Sequence, residues 1–146
     1  MTEARTTSAT KADPSQADYR FWCEEKLRNA DTDMNGHVNN AVISTLFEAG
    51  RIDTLAGEPI AHIRRVTSIV VAKLLINFHK ELFFPGKVRV GSRVSRIGRS
   101  SIEFDSAIFA ANGVVATAQA TCVLIDRGTR KPMAVPDELR AYLTGG

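Results

Sequence analysis

Between Asp31 and Asn40 the chain reads "DTDMNGHVNN", which sets carboxylates, amides and an imidazole within a few residues of one another. Two chemistries begin this way. Asp31, Asp33, Asn35 and Gly36 match positions one, three, five and six of a calcium-binding EF-hand loop. Asp33, Asn35 and His37 equally suit a carboxylate facing an oxyanion site. A carboxylate can attack a carbonyl carbon or take a proton from water, and backbone N–H groups at a helix start can stabilise the resulting oxyanion. The calcium pattern breaks at its twelfth position, where a bidentate Glu is needed and Val42 stands, and the residues before the loop do not read as its first helix. No other metal set is apparent: His62 and His79 lack local partners, and Cys23 and Cys122 are too far apart for a CxxC site. Both cysteines lie in apolar or alternating stretches and are expected to be reduced and packed.

The carboxylate chemistry requires a helix immediately after the loop, and the sequence supplies one. Val42, Leu46, Ala49, Ile52 and Leu55 recur at three- and four-residue steps, with Asn39 or Asn40 as a favoured N-cap and Gly57 and Pro59 as a stop. The spacing predicts a helix over Asn40 to Ala56. Before the loop, the aromatic-rich residues Tyr19 to Arg28 read as a first strand. After the helix everything reads as strand until the last dozen residues. "SIVVAKLLINF" is nearly all apolar, as for a strand covered on both faces. Val88, Val90 and Val94 alternate with Arg89 and Arg93, as for a half-wet strand. "SIEFDSAIFA" and "VVATAQATCVLID" meet across Asn112-Gly113, a strong hairpin signal, and Ala116, Ala118, Ala120 and Cys122 form a row of small side chains that would admit a helix closely. "VPDELRAYL" closes as a short helix with Pro136 near its start. Strand, long helix, then four strands is the order of an α+β domain whose antiparallel sheet carries one helix.

A chain of 146 residues suits one such domain, and 44% hydrophobic with 24% charged residues is an ordinary globular balance. No apolar run approaches the roughly 20 residues of a membrane helix. The polar opening, residues 1–18, lacks the apolar centre of a signal peptide, and Glu3, Asp13 and Asp18 argue against a transit peptide. A disordered tail on a cytoplasmic domain spanning 19–146 is expected. The net charge of +3 is unevenly spread: Arg64, Arg65, Lys73, Lys80, Lys87, Arg89, Arg93, Arg96 and Arg99 face a single acid, Glu81. An anionic partner would suit this stretch, as would a solvated strand face that discourages edge pairing. Nucleic acid is not expected, because no RNA-binding motif or aromatic stacking platform accompanies the arginines.

The run "DTDMNGHVNNAVISTLFEAGR" resembles the signature segment of the hotdog-fold acyl-CoA thioesterases of the 4-hydroxybenzoyl-CoA thioesterase type, and "DMNGHVNN" is close to the matching run of plant acyl-ACP thioesterases. The resemblance covers the chain from about Tyr19 onward. It implies a curled antiparallel sheet of about five strands wrapped around one long helix, no cofactor or metal, and a homodimer or homotetramer with sites where subunits meet. The implied activity is hydrolysis of an acyl-CoA, or of an acyl-ACP. Asp33 would be the catalytic carboxylate, as nucleophile or general base, with Asn35 and His37 implicated beside it. The backbone N–H of Asn40 would polarise the carbonyl. Glu48 would face the site or pair with Arg51, and Arg96 and Arg99 would meet CoA phosphates. Many relatives carry Tyr where this chain has Ile43, and aromatic or basic residues at Ser44 and Thr45, positions that help line the acyl pocket. Asp31 is expected only to cap its turn, and Asn39 only to cap the helix. A non-catalytic module that binds acyl thioesters, as a sensor or oligomerisation unit, is the rival; retention of Asp33, Asn35 and His37 together favours the enzyme.

Overall fold

The computed structural model describes residues 14–145. Five strands form one antiparallel sheet in the order β1-β3-β4-β5-β2, where β1 is Phe21–Lys26, β2 Thr67–Phe78, β3 Lys87–Ile97, β4 Ser101–Ala110 and β5 Gly113–Asp126. The helix α1, Asn40–Thr54, lies across β1, β3 and β4, which is the hotdog arrangement of a curled sheet around one long helix. Its apolar stripe faces the sheet: Ile43, Leu46 and Phe47 pack on Val88, Val90, Ile108, Ala116 and Ala118. At Gly50 the helix touches the strand so closely that a Cβ would stand 2.7 Å from Val90 Cγ1. The closing helix α3, Asp137–Thr144, begins after Pro136 and packs Leu139 and Leu143 over Ile102, Phe104, Ala120, Cys122 and Leu124. The row of small side chains on β5 therefore serves two cores. Ala116 and Ala118 lie among the residues packed by α1, and Ala120 and Cys122 among those packed by α3.

Three expectations change. The stretch after α1 is not all strand: Glu58–Ile60 forms a 3-10 turn and Ala61–Val66 a short helix, α2, whose Ile60 and Ile63 join the second core. β2 is not covered on both faces. It is an edge strand, hydrogen-bonded only to β5, and Val70, Val71, Leu75 and Phe78 are exposed. Its continuous apolar character therefore reflects surface that none of the described residues covers. The hairpin turn falls one residue earlier than expected, on Ala111 and Asn112, with Gly113 already paired to Ala110. Of the tail assigned to residues 1–18, residues 1–13 lie outside the described residues. Gln16–Asp18 is a 3-10 turn capped by Ser15, and Gln16 Oε1 accepts a hydrogen bond from Arg89.

The alternation on β3 is as read. Val88 and Val90 are buried, while Arg89 stacks on the Trp22 ring at 4.3 Å and Arg93 pairs with Asp105. With Lys87 paired to Glu24, much of the basic stretch is a solvated strand face. Cys122 is buried and Cys23 partly so, and both are free thiols. Burial pushes the Cys23 thiol up to about 11, helped by Asp53 and Glu25, and raises Cys122 as well.

Candidate active site

The loop that joins β1 to α1 is built from its own side chains. Asp31 is 4% exposed and ends a 3-10 turn over Asn29–Asp31. Its carboxylate accepts from the Arg28 backbone N–H at 2.7 Å and from Arg28 Nη2 at 2.8 Å. The Arg28 side chain, against the opposing effect of burial, holds this carboxyl below its ordinary value. Asp31 is thus a structural cap, as expected. An antiparallel bridge between Thr32 and Val38 then closes the loop. Within it Asp33 O accepts from Gly36 N–H, a turn that needs the positive φ of 82° at Gly36. Asp33 N–H donates to His37 O at 3.0 Å. The side chain of Asp33 has one oxygen committed: Oδ1 accepts from Asn35 N–H at 2.9 Å. Oδ2 faces His37 Nδ1 at 3.8 Å, and His37 Nε2 lies 3.8 Å from Glu81 Oε1. Both separations exceed a hydrogen bond. The Asp33 and His37 side chains are each 24% exposed, and the edge of Phe83 packs on the imidazole.

The helix start is equally defined. Asn39 caps it, its Oδ1 accepting from Ala41 N–H at 2.8 Å while its carbonyl accepts from Val42 and Ile43. Among the described residues the N–H of Asn40, the first of α1, has no acceptor. Asn40 borders a cavity of about 330 Å³ walled also by His37, Ile43, Phe78 and the segment His79 to Leu82. The wall is pinned by Val38 N–H to Leu82 O, His79 Nε2 to Thr117 Oγ1 and Lys80 Nζ to Asn112 O. The arrangement can hold a carbonyl oxygen on a main-chain donor and present an imidazole, backed by two carboxylates, to a water beside it.

The structure thus brings Asn40, His37 and, behind His37, Asp33 to one place. Asp33 is not itself on the cavity wall; it reaches the cavity through the imidazole. Asn35 contributes its backbone N–H to Asp33, and its side chain is exposed without a hydrogen bond among the described residues. Ile43 lines the cavity, whereas Ser44 and Thr45 do not, the Thr45 hydroxyl bonding back to Ala41 O. Glu48 is exposed, about 12 Å up the helix from Asn40 at 1.5 Å per residue. It forms no ion pair with Arg51, which is 7% exposed. Arg96 and Arg99 sit at the β3–β4 turn, the opposite end of β3 from the loop and some 30 Å along the strand at about 3.4 Å per residue, so one subunit does not bring them to this cavity. Phe78, His79, Lys80 and Glu81 escaped the sequence reading, because a loop some 40 residues downstream supplies them with no motif of its own. Among the described residues no group of three or more His, Cys, Asp or Glu could hold a metal ion.

A family model described as "Thioesterase-like superfamily" matches residues 27–143. The fold is similar to that of a solved Pseudomonas aeruginosa protein, with 26% identity, TM-score 0.82, and 90% of this chain and 94% of that one covered. It is also similar to a DHNA-CoA thioesterase from Staphylococcus aureus, with 27% identity, TM-score 0.73 and coverage of 84% and 87%. The structure of YbaW, a probable thioesterase from Escherichia coli, aligns with 27% identity, TM-score 0.74 and coverage of 85% and 96%. No curated relative matches the chain.

Proposed function

The chain belongs to the thioesterase-like superfamily, and from that premise we propose that it hydrolyses an acyl-CoA thioester to a carboxylic acid and CoA. The observation that carries the proposal is that Asn40, whose N–H has no acceptor among the described residues, lines the same cavity as His37. The thioester carbonyl oxygen accepts from Asn40 N–H. Water attacks the carbonyl carbon and gives its proton to His37 Nε2, while Asp33 Oδ2 orients the ring through Nδ1 and is itself fixed by Asn35 N–H. The 3.8 Å Asp33–His37 separation shortens when substrate excludes water, as catalytic contacts do. The tetrahedral intermediate collapses with cleavage of the C–S bond, and the thiolate leaves unaided. Asp33 acts here through general-base chemistry, with its nucleophilic role as the competing route. In a single turnover in ¹⁸O-water an Asp33 peptide free of label is expected, and label recovered there contradicts the general base, because it arises only when water attacks the Asp33 carbonyl of an acyl-Asp33 anhydride.

A second reading is favoured by one specific observation, the withdrawal of Asp33 behind His37. It makes the chain a module that binds acyl thioesters without cleaving them. Thiol release from a panel of acyl-CoAs, with acyl-ACP alongside, tests the enzyme directly. No turnover on any of them, with tight acyl-CoA binding retained, would select the binding module. We further propose a homodimer formed along the free edge of β2, whose exposed Val70, Val71, Leu75 and Phe78 are covered by none of the described residues. Two-fold antiparallel pairing would bring Phe78, on the cavity wall, close to Thr67 of the partner strand, so each cavity would be completed by the other copy. Contacts of Arg96, Arg99 or Glu48 with substrate would then come from another subunit. No helix among the described residues is long and apolar enough to cross a membrane, and the proposed location is cytoplasmic.

A further inference from the structure

The cavity beside Asn40 has a closed floor and an open rim. Val38, Ile43 and Leu82 line it and are buried, whereas Phe78, His79, Lys80 and Glu81 line it and are exposed. A thioester whose carbonyl sits on Asn40 N–H therefore sends the rest of its thiol portion outward across that rim. The backbone there is fixed in place: His79 N–H and Lys80 N–H both donate to Val115 O, at 2.8 and 3.1 Å.

Between Phe78 and Leu82 the rim carries three polar side chains, and two of them are engaged. Lys80 Nζ donates to Asn112 O, and Glu81 Oε1 lies beside His37 Nε2, on the side where water is activated. The third is His79. Its Nε2 shares a hydrogen bond with Thr117 Oγ1 at 3.0 Å, and its Nδ1 has no partner among the described residues. Tying one nitrogen fixes the direction in which the ring presents the other. If the Thr117 hydroxyl donates, Nδ1 is a donor, and if Nε2 donates, Nδ1 is an acceptor. A neutral ligand group that satisfies both cases carries an N–H and a C=O together, which is an amide. His79 is two residues from Glu81, so their Cα atoms are no more than about 7 Å apart. A group a few atoms beyond the thioester sulfur thus passes within reach of His79.

We propose that His79 is a positioning residue whose Nδ1 hydrogen-bonds the first amide of a pantetheine arm, the amide that follows the thioester sulfur after an ethylene link. The inference rests on the hydrolytic reading for the seating of the thioester, and it adds which part of the thiol is recognised. Coenzyme A and an acyl carrier protein both present this amide, so the contact serves either carrier and disfavours thioesters of simple thiols. His79 transfers no proton. It touches the same group in the bound substrate and in the transition state, so it acts on KM rather than on kcat.

The test compares thiol release from two thioesters of the acyl group that the full-length parent turns over fastest. One is the thioester of N-acetylcysteamine, which has the amide, and the other that of 1-pentanethiol, which matches its length without it. His79→Phe should raise KM for the first about fivefold, the effect of one neutral hydrogen bond, with kcat within about twofold and the pentanethiol ester changed less than about twofold. Thr117→Val, which unties the ring, should raise the same KM about threefold. Thermal melts check folding. Calorimetric titration with N-acetyl-S-hexylcysteamine, a thioether that cannot be hydrolysed, reads the contact separately from turnover, and His79→Phe should weaken its binding about fivefold. A parent that cleaves no thioester yet binds this thioether through His79 would overturn the hydrolytic reading and keep the contact. An unchanged KM in His79→Phe, an equal rise for both thioesters, a loss in kcat alone, or a thioether that binds parent and variant alike or neither of them would each overturn the role of His79.

Discussion

Replacing Gly50 by Ala sets two effects of known sign against each other. In a helix interior Ala is favoured over Gly by about 0.5–1 kcal/mol, so an unconstrained site would be stabilised. Here the added Cβ would lie 2.7 Å from Val90 Cγ1 and 3.0 Å from Ser92 Oγ. Neither neighbour gives way easily. Both are buried, Val90 is stiff at χ1, and Ser92 Oγ is bonded to Ser106 Oγ at 2.9 Å. Overpacking of this kind costs about 1–3 kcal/mol, which leaves a net loss of about 1–2 kcal/mol and a fall in Tm of roughly 4–8 °C for a domain of this size. The strain can also be relieved by α1 lifting from β3. Asn40 lies ten residues upstream on the same rigid helix. A displacement approaching 1 Å at its N–H would lower kcat as much as 100-fold. Thermal denaturation followed by circular dichroism, paired with steady-state thiol release, reads both effects. A Gly50→Ala protein as stable as the parent, with undiminished turnover, would refute the close contact and with it the rigid link from sheet to oxyanion donor.

Asp31→Asn should cost about 1 kcal/mol at neutral pH through loss of the carboxylate's charge-assisted bonds from Arg28. The native carboxyl is held below its unfolded value by Arg28, so its stabilisation is present above an unfolded pKa near 3.9 and is lost as pH falls through the folded value. Urea midpoints for parent and variant should therefore converge in acid, and a gap that persists or widens there would contradict the assignment. With its thiol pushed up to about 11, Cys23 at pH 8 should be thiolate in about one molecule per thousand, and iodoacetamide labelling followed by mass spectrometry should be slow and rise up to that pH. Rapid labelling at pH 7 would show the thiol to be freely solvated. Val71→Lys on the exposed edge of β2 should shift sedimentation from dimer to monomer without lowering the stability of the subunit, and an unchanged sedimentation coefficient would place the interface elsewhere.

The elements that carry a local rule were legible in the sequence. The α1 stripe with its Asn39 cap, the Asp31 cap, the valine–arginine alternation of β3 and the small-residue face of β5 each follow from spacing within one segment. What was not legible depends on what lies on the other side of a segment. "SIVVAKLLINF" has the composition of a doubly covered strand, yet it is an edge, because periodicity reports apolar character and not which surface will cover it. Glu58 to Val66 has no long apolar period, so its short helical turns were passed over. Within the site, the loop motif marked His37 and Asn40, and both line the cavity. The setting of Asp33 behind His37 follows from the turn over Asp33 to Gly36, which commits Oδ1 to Asn35 N–H. Glu81 and His79 arrive from a distant strand end that no local pattern marks. Arg51, the partner in one of the two alternatives for Glu48, is buried, because its position on the helix faces inward with Phe47 and Thr54.

Comparing kcat for CoA thiol release by the parent and by Asp33→Asn, on whichever acyl-CoA the parent turns over fastest, bears most directly on the role of this loop. The substitution keeps the shape and the acceptor for Asn35 N–H while removing the charge behind His37. A fall in kcat of about 10²–10⁴ with little change in KM is predicted, the range that a general base and its orienting partner contribute. An Asp33→Asn enzyme that turns over at the parental rate would show that thioester cleavage in this protein does not run through Asp33 and His37.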